Sequence, residues 1–499
     1  MADKKDANDP STTSYAWDAM APKWDMIETL LGGTDAMRDA GEKYLPRHSE
    51  ESGENYDERL ERTTLFNMME LTLEALVGKP FSDPLKVNDD VPQEIEQLLH
   101  DVDLQGNDIS TFARHWFREG LAKSFAHVLI DYPMLTEEQR QGRTLADDRR
   151  EGRRPYWVLI KPENVIFAAA ENVNGREVLT HVRIKEEVVV RNGFAEEVVS
   201  RVRVLEPGMF QVWEFVRKDK RRKGEWKVVS EGTTGLSFIP LVTFYANRLS
   251  LMFGKPPLED LAHLNIRHWQ STADQINVLT VARFPILAVA GATDSTGTTM
   301  AIGPRQLLGT KDPNGRFYYV EHSGKAIEAG RQDLMDLEQM MASYGAEFLK
   351  RRSGNVTATG RALDSAEAMS SLQDSAIRFN DSLNKALDVT ATWLNLPDGG
   401  TVEIKKDYGP SKVSDQMLKT LLEARKNGDL SREDFLDQLK QLQILSDDFS
   451  PAVNLMRLMM EAAGAGIDTA LIDPADFMNN GSHEPADQDA DEGGTPNGS

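Results

Sequence analysis

Apolar positions recur at three- and four-residue intervals from Tyr15 to about Phe125, the spacing that lines one face of an amphipathic helix. The clearest run is Tyr56–Val77, where Leu60, Thr64, Phe66, Met69, Leu73 and Leu76 predict one helix, closed by Gly78 and Pro80. A strand-like HVLIDY follows at 127–132, then a polar stretch, TEEQRQGRTLADDRREGRR, that reads as a loop or frayed insertion. From Tyr156 to about Ala246 the texture turns β-branched and aromatic. The runs YWVLI, NVIFAA, EVLTHVRI, EVVSRVRVL, FQVWEFV, EWKVVS and IPLVTFY, divided by Gly, Pro and Asn turns, predict an antiparallel sheet of six or seven strands. Between two of them RKDKRRKG, at 217–224, reads as a hairpin tip.

Beyond Gly254-Lys255-Pro256-Pro257, long helices alternate with short connections. One helix opens at Leu258 and closes near Ala282; residues 285–326 are a compact insert with the apolar PILAVAG and GRFYYVEH; a second helix spans Ala326 to Arg352. In it Leu334, Leu337, Met341, Tyr344 and Phe348 are spaced 3, 4, 3 and 4, a heptad seam. After the loop SGNVTATG, a third helix carries Met369, Leu372, Ala376, Phe379, Leu383, Ala386, Thr390 and Trp393 on a similar seam. Seams this narrow are expected to face another helix, in the same chain or a neighbour. From 411 onward Val413–Lys426, Arg432–Leu445 and Ala452–Ala463 read as helices, with Ser431 and Asp434 as a capping pair and Pro451 at a first helical position. Both ends, 1–14 and 467–499, are polar and aperiodic and are expected to be disordered.

Length and charge narrow the class. At 499 residues the chain holds about three units of roughly 150 residues each. The 57 Lys and Arg against 80 Asp and Glu give a net charge of −23, the wrong sign for a general nucleic-acid coat. There is no cysteine, which excludes disulfides, Cys–zinc sites, iron–sulfur clusters and thiol nucleophiles, and fits a reducing compartment. MADKKDANDP has no apolar core of an export signal, and no apolar run reaches about 18 residues. The expectation is a soluble protein that stays inside its cell, with no membrane contact.

Chemistry is sparse. The pairs Gly78-Lys79, Gly254-Lys255 and Gly324-Lys325 lack the hydroxyl that a phosphate-cradling loop needs, and no G-x-S-x-G elbow is present. The glycines of GAGI at 464–467 follow no strand and read as a linker. His263 and His268 are five residues apart, roughly 140° around a helix, and cannot chelate one metal from one face. Acidic pairs such as Asp147-Asp148 and Asp447-Asp448 read as solvated. No cofactor and no catalytic residue is expected. Three basic clusters stand against the acidic background: Arg149, Arg150, Arg153 and Arg154; Lys218, Lys220, Arg221, Arg222 and Lys223; and Lys350, Arg351 and Arg352. The first two read as solvated tips. The third ends a helix, where the macrodipole itself favours cations, and Arg361 lies just beyond it.

The order of these parts, with the stretches GTDAMRDAGEKYLPRHSEES (33–52), NYDERLERTTLFNMMELTLEALVGKPF (55–81), PLEDLAHLNIRHWQSTADQ (257–275) and TATGRALDSAEAMSSL (357–372), resembles the portal, or head-to-tail connector, proteins of tailed bacteriophages. The resemblance spans roughly 15–460. It implies an α+β, mainly α fold: a wing over 15–256 with its β-rich part at about 156–246, a stem helix at 257–284, a clip at 285–326 and a second stem helix at 327–352. A channel loop at 353–361, a long helix returning to the wing over 362–410 and a helical crown over 411–466 complete it. It further implies a dodecameric ring at one capsid vertex of a virion, assembled in the host cytoplasm. Double-stranded DNA passes through that ring during packaging and ejection. The partners implied are the terminase large subunit, head–tail adaptor and tail proteins, and the major capsid and scaffold proteins. On this reading the chain is no enzyme. Lys350, Arg351, Arg352 and Arg361 become candidates to face DNA in the channel, and Arg305, Lys311 and Arg316 candidates for the clip's contact with terminase or adaptor. Two other readings stand beside it: a coiled-coil scaffold unrelated to phage, and a metal-dependent enzyme acting on nucleic acid.

Overall fold

The computed structural model describes residues 8–133, 150–216, 224–283, 286–290, 314–320, 324–347, 371–406 and 415–441, with a few isolated positions at 147 and between 445 and 457. In chain order the helical N-terminal part contains α1 (Tyr15–Leu31), α2 (Gly33–Ala40), α3 (Gly53–Arg62), α4 (Met68–Val77), β1 (Lys86–Val87), α5 (Gln93–Leu98) and α6 (Ile109–Lys123). The β-rich part follows with β2 (Phe125–Asp131), β3 (Tyr156–Ile160), β4 (Val165–Val173), β5 (Arg176–Asn192), β6 (Ala195–Glu206), β7 (Met209–Val216), β8 (Glu225–Thr233), β9 (Leu241–Tyr245), β10 (Arg248–Ser250) and β11 (Phe253–Gly254). Then come α7 (Glu259–Ala282), β12 (Ile286–Ala290), β13 (Arg316–Val320), α8 (Lys325–Glu347), α9 (Ser371–Leu394) and β14 (Val402–Glu403). A separate compact unit begins at Gly409 and holds α10 (Asp415–Asn427) and α11 (Arg432–Gln441). The mixed α+β character is as expected.

The single helix expected over Tyr56–Val77 is two. The chain is extended at Thr63, the Leu65 N–H donates to Thr34 Oγ1 at 3.1 Å, and α4 restarts with Asn67 as its cap, its side chain accepting from the Glu70 N–H at 3.1 Å. An Asn at that position offers the backbone a non-helical alternative, which apolar spacing alone does not register. The expected tail over 1–14 is also shorter. From Asp9 onward the segment is tied down: Ser14 N–H donates to the Ile166 carbonyl at 2.9 Å, Arg183 donates to the Pro10 carbonyl at 3.2 Å, and Ser14 caps α1. Residues 1–7 and 467–499 lie outside the described residues.

The strands divide between two main sheets instead of forming one. β2 lies between β3 and β9, and HVLIDY, set apart in the sequence, is that central strand. It is buried on both faces, which explains its unbroken apolar run. Ala126, Val128 and Ile130 join the main core with Trp116, Phe117, Phe244 and Phe379; Phe125 and Leu129 join a second core with Met20, Trp24 and Val165. The other sheet is an antiparallel meander, β4-β5-β6-β7-β8. β7 and β8 end with Val216 opposite Glu225, and the basic segment between them lies outside the described residues.

The seam of α9 does not face a helix alone. Leu372, Ala376, Phe379, Leu383, Ala386 and Thr390 are buried, and the helix packs on β9, β2, α5 and α6. Phe379 meets Phe244, Trp116 and Phe117 with ring centroids 4.9, 5.1 and 5.1 Å away. A sheet surface satisfies a narrow apolar stripe as well as a helix does. Lys123, at the end of α6, is fully buried, and its Nζ lies 2.7, 3.0 and 2.7 Å from Glu28, Glu119 and Glu163. Burial would raise the Glu28 carboxyl, but hydrogen bonds from Lys123 and Lys161 overcome it and hold the group at about 2. In the C-terminal unit the expected cap is present: the Asp434 N–H donates to Ser431 Oγ at 2.9 Å.

Candidate functional site

The feature that sets this chain apart is a long antiparallel hairpin of α7 and α8. Partner positions run in opposite directions along it. Tyr344 Oη donates to Asp260 Oδ2 at 3.1 Å, Ser271 Oγ to Asp333 at 2.8 Å, and Gln275 Nε2 to the Ile327 carbonyl at 2.9 Å. Arg267 pairs with the same Asp333 at 3.1 Å. The same pairing continues past the helices into strands, where Ile286 stands opposite Val320 and Ala290 opposite Arg316. The insert therefore extends the far end of the helix pair. At 1.5 Å per residue, α7 alone carries that end about 35 Å from its start.

The hairpin has two halves of different character. At its base Leu258, Leu261, Ala262, Asn265, Trp269, Ala273, Leu337 and Met341 are buried in the body. Beyond Ala273, and before Leu337 on the returning helix, no described residue is buried, although Ile276, Val278, Leu279, Ile327, Leu334 and Met335 lie there. Among the described residues that apolar surface is left only partly covered.

Polar side chains seat the base. Asn265, on the apolar stripe of α7, accepts from the Met69 N–H at 2.9 Å and donates to the Phe66 carbonyl at 2.9 Å, so a residue of the hairpin caps the restart of α4. Gln270 donates to the Tyr44 carbonyl at 2.9 Å. Arg59, buried, bonds Glu51 at 2.7 and 2.8 Å and the Pro46 carbonyl at 3.0 Å, and its Nη1 is 3.6 Å from Asp274. The Arg59 hydrogen bonds hold the Glu51 carboxyl at about 2. Asp274 is also 3.2 Å from His48. His268 is packed against Phe66 and 3.5 Å from Glu338, and burial lowers its pKa.

Of the candidate site residues, Lys350, Arg351, Arg352 and Arg361 lie outside the described residues, in the stretch between Glu347 of α8 and Ser371 of α9. Arg305 and Lys311 also lie outside them; Arg316 is exposed at the start of β13. The cluster around Arg150 is no uniform solvated tip. Arg154 pairs with Asp101 at 3.0 Å, Arg153 donates to the Pro133 carbonyl, and only Arg150, 2.8 Å from Asp147, is largely exposed among these three. Arg149 and Lys218 to Lys223 lie outside the described residues. The residues that sequence reasoning missed are Asn265, Arg59 and Asp274. Asn265 had a signal, a lone amide at a position where Leu258, Leu261, Ala262 and Trp269 mark the buried stripe. For Arg59 and Asp274, more than two hundred residues apart, no local pattern exists. Among the described residues no group of three or more His, Asp or Glu is placed to hold a metal ion, and no helix is long and apolar enough to cross a membrane.

These features define a class: an α+β chain built around a helical hairpin with a strand-paired end. The family described as Domain of unknown function (DUF4055) matches residues 257–394, the span from the start of the hairpin to the end of α9. No curated protein matches the chain. Among solved structures, the chain is similar to one from the virion of a native gene transfer agent particle, with 11% identity, a TM-score of 0.35 and coverage of 75% of this chain and 89% of that one. It is also similar to a chain from the neck of an empty gene transfer agent particle, computed with C6 symmetry, at 11% identity, a TM-score of 0.34 and the same coverage. A chain from the neck of the native particle, computed with C12 symmetry, gives 11% identity, a TM-score of 0.37 and coverage of 74% and 89%.

Proposed function

We propose that this chain is the subunit of a phage-type portal, a ring at one vertex of a DNA-filled capsid through which double-stranded DNA is packaged and released. The observation that carries the reading is the hairpin of α7 and α8: a seated base, a far end that is strand-paired, and a distal half in which none of the described apolar residues is buried by the rest of the described chain. In this reading α7 and α8 are the stem and the insert they carry is the clip, which docks terminase during packaging and adaptor or tail proteins afterwards. The sheets and N-terminal helices are the wing, and the unit from Gly409 is the crown. Neighbouring stems cover the distal apolar surface, as closed cyclic symmetry allows for every copy at once.

Charge supports the same reading. A channel that passes long DNA must not hold its phosphates, since each phosphate neutralised adds to affinity. A chain of net charge −23 repels DNA from most of the wall and leaves a few basic rings to touch it. Lys350, Arg351, Arg352 and Arg361 are the proposed contacts. The chain performs no reaction of its own in this scheme; the motor is a separate protein. The scaffold reading drew on the heptad seams. Part of those seams finds partners inside one copy, Leu337 and Met341 at the base of the hairpin and the α9 stripe on the sheet, which weakens its motive.

The test is the mass of the purified protein by light scattering, with negative-stain images of the same peak. A species near twelve times 55.8 kDa with a central hole is expected. A stable dimer or trimer refutes the ring and returns the scaffold reading.

A further inference from the structure

The meander sheet carries a knob at one end and a hole at the other. β4 pairs with β5 only as far as Ile184, and β7 with β6 only from Arg201, so residues 185–200 continue as a two-stranded ribbon with no described strand on either side. At about 3.3 Å per residue the ribbon projects roughly 26 Å. Its turn is Gly193-Phe194, with Gly193 at φ +65, the left-handed backbone that a two-residue hairpin of this kind requires at its first position. Phe194 at the tip is fully exposed, and Val189 and Val198, directly opposite each other, are 59% and 60% exposed. Isolated two-stranded ribbons are marginal in water, and an aromatic ring at the apex of one is an anchor without a seat.

The opposite end of the same strands holds a cavity of about 170 Å³, lined chiefly by Leu129, Leu205, Met209, Phe210, Pro240 and Trp393. A cavity of about 150 Å³ with an all-apolar lining takes up benzene; here the ion-paired Asp131 and Arg203 border the apolar part. Its wall also contains Thr234, whose Oγ1 is buried with no hydrogen-bond partner among the described residues. Glu206 borders the cavity too, but its carboxylate is already taken, with Oε1 2.9 Å from His181 Nδ1. Arg191 is exposed beside Phe194, its Nε bonding the Gly193 carbonyl at 2.9 Å. Knob and hole lie about 33 Å apart along β6, so the ribbon of one copy cannot reach that copy's own cavity.

We infer that Phe194 of each copy inserts into the Leu129–Phe210–Trp393 cavity of the next, with the turn backbone meeting Thr234. A contact between two different surfaces is heterologous, and it closes into a ring when the rotation from copy to copy divides a full turn. The inference rests on the ring reading and adds to it the latch that joins neighbouring wings.

The absence of cysteine makes the test direct. Phe194→Cys is placed at the tip, and Gly235→Cys in the cavity, where an added Cβ meets no atom within 4 Å. Mixed under mild oxidation, the two single variants are expected to give disulfide-linked heterodimers; the double variant is expected to give a ladder reaching the full ring. Phe194→Asp, a change at a site exposed in one copy, is expected to keep the monomer folded by circular dichroism. It is also expected to raise the concentration at which rings dissociate by about tenfold or more, the order expected for one buried aromatic ring. Rings whose Cys variants give no cross-link and that survive Phe194→Asp unchanged overturn the latch and leave the ring standing. A wild-type protein that is monomeric at every concentration overturns both.

Discussion

Asn265→Leu is the sharpest perturbation of the hairpin's seat. Leu has the same branching and number of side-chain heavy atoms but bulkier methyl groups, and it removes both hydrogen bonds. The Met69 N–H loses its 2.9 Å acceptor in a site where Met69 and Asn265 are both fully buried, and an orphaned buried donor costs about 1–3 kcal/mol. The Phe66 carbonyl loses its donor in a part-buried site, where water recovers some of the loss, about 1 kcal/mol. The sum is about 2–4 kcal/mol, a large share of the stability of an ordinary domain. Asn265→Asp keeps the acceptor for Met69 and removes the donor to Phe66, and it adds a buried charge. The assays are urea denaturation at fixed protein concentration and hydrogen exchange at the Met69 amide. The expected result is an earlier unfolding midpoint and a faster-exchanging Met69 in Asn265→Leu, with Met69 protection better retained in Asn265→Asp. If Asn265→Leu unfolds at the native urea concentration with Met69 as protected as before, the clamp is not what seats α7.

Four other outcomes are expected. His127 is fully buried against Thr243 at 2.9 Å, and burial pushes its pKa down to about 3, so the folded chain binds fewer protons than the unfolded one between about 6.5 and 3. Stability is therefore full above pH 6.5 and falls below it, by about 2 kcal/mol at pH 5; a thermal-shift series is expected to show this slope, and His127→Gln to flatten it. A second loss sets in below about 4.5, where the unfolded chain protonates Glu28 and Glu51 while the folded chain holds both at about 2, and a series flat from pH 4.5 to 2 contradicts it. Lys123→Met leaves Glu28, Glu119 and Glu163 without their shared cation and is expected to cost about 3–5 kcal/mol in denaturant titration; unchanged stability refutes the network's role. Changing Lys350, Arg351 and Arg352 together to Ala is expected to leave ring assembly intact and to alter DNA packaging or retention; loss of the ring itself makes the cluster structural.

What the sequence by itself determined is local and periodic. The β-branched texture of 156–246, the three long helices after Pro257 and the Ser431 cap were legible because each rests on neighbours within a turn or a strand. The net charge and the missing cysteines restricted the chemistry for the same reason, needing only a count. The tertiary structure decided what depends on distant partners. It divided one expected sheet into two, because which strand pairs with which is set by packing and not by each strand's own alternation. It broke the Tyr56–Val77 helix at Thr63, where Thr34 and Asn265, from elsewhere in the chain, take up backbone groups that a helix would have used. It laid the α9 seam on a sheet, since a narrow apolar stripe is content with any complementary surface. The hairpin's half-open flank and the knob and hole of the meander sheet appeared only in three dimensions, because exposure is a property of everything that does not pack against a residue.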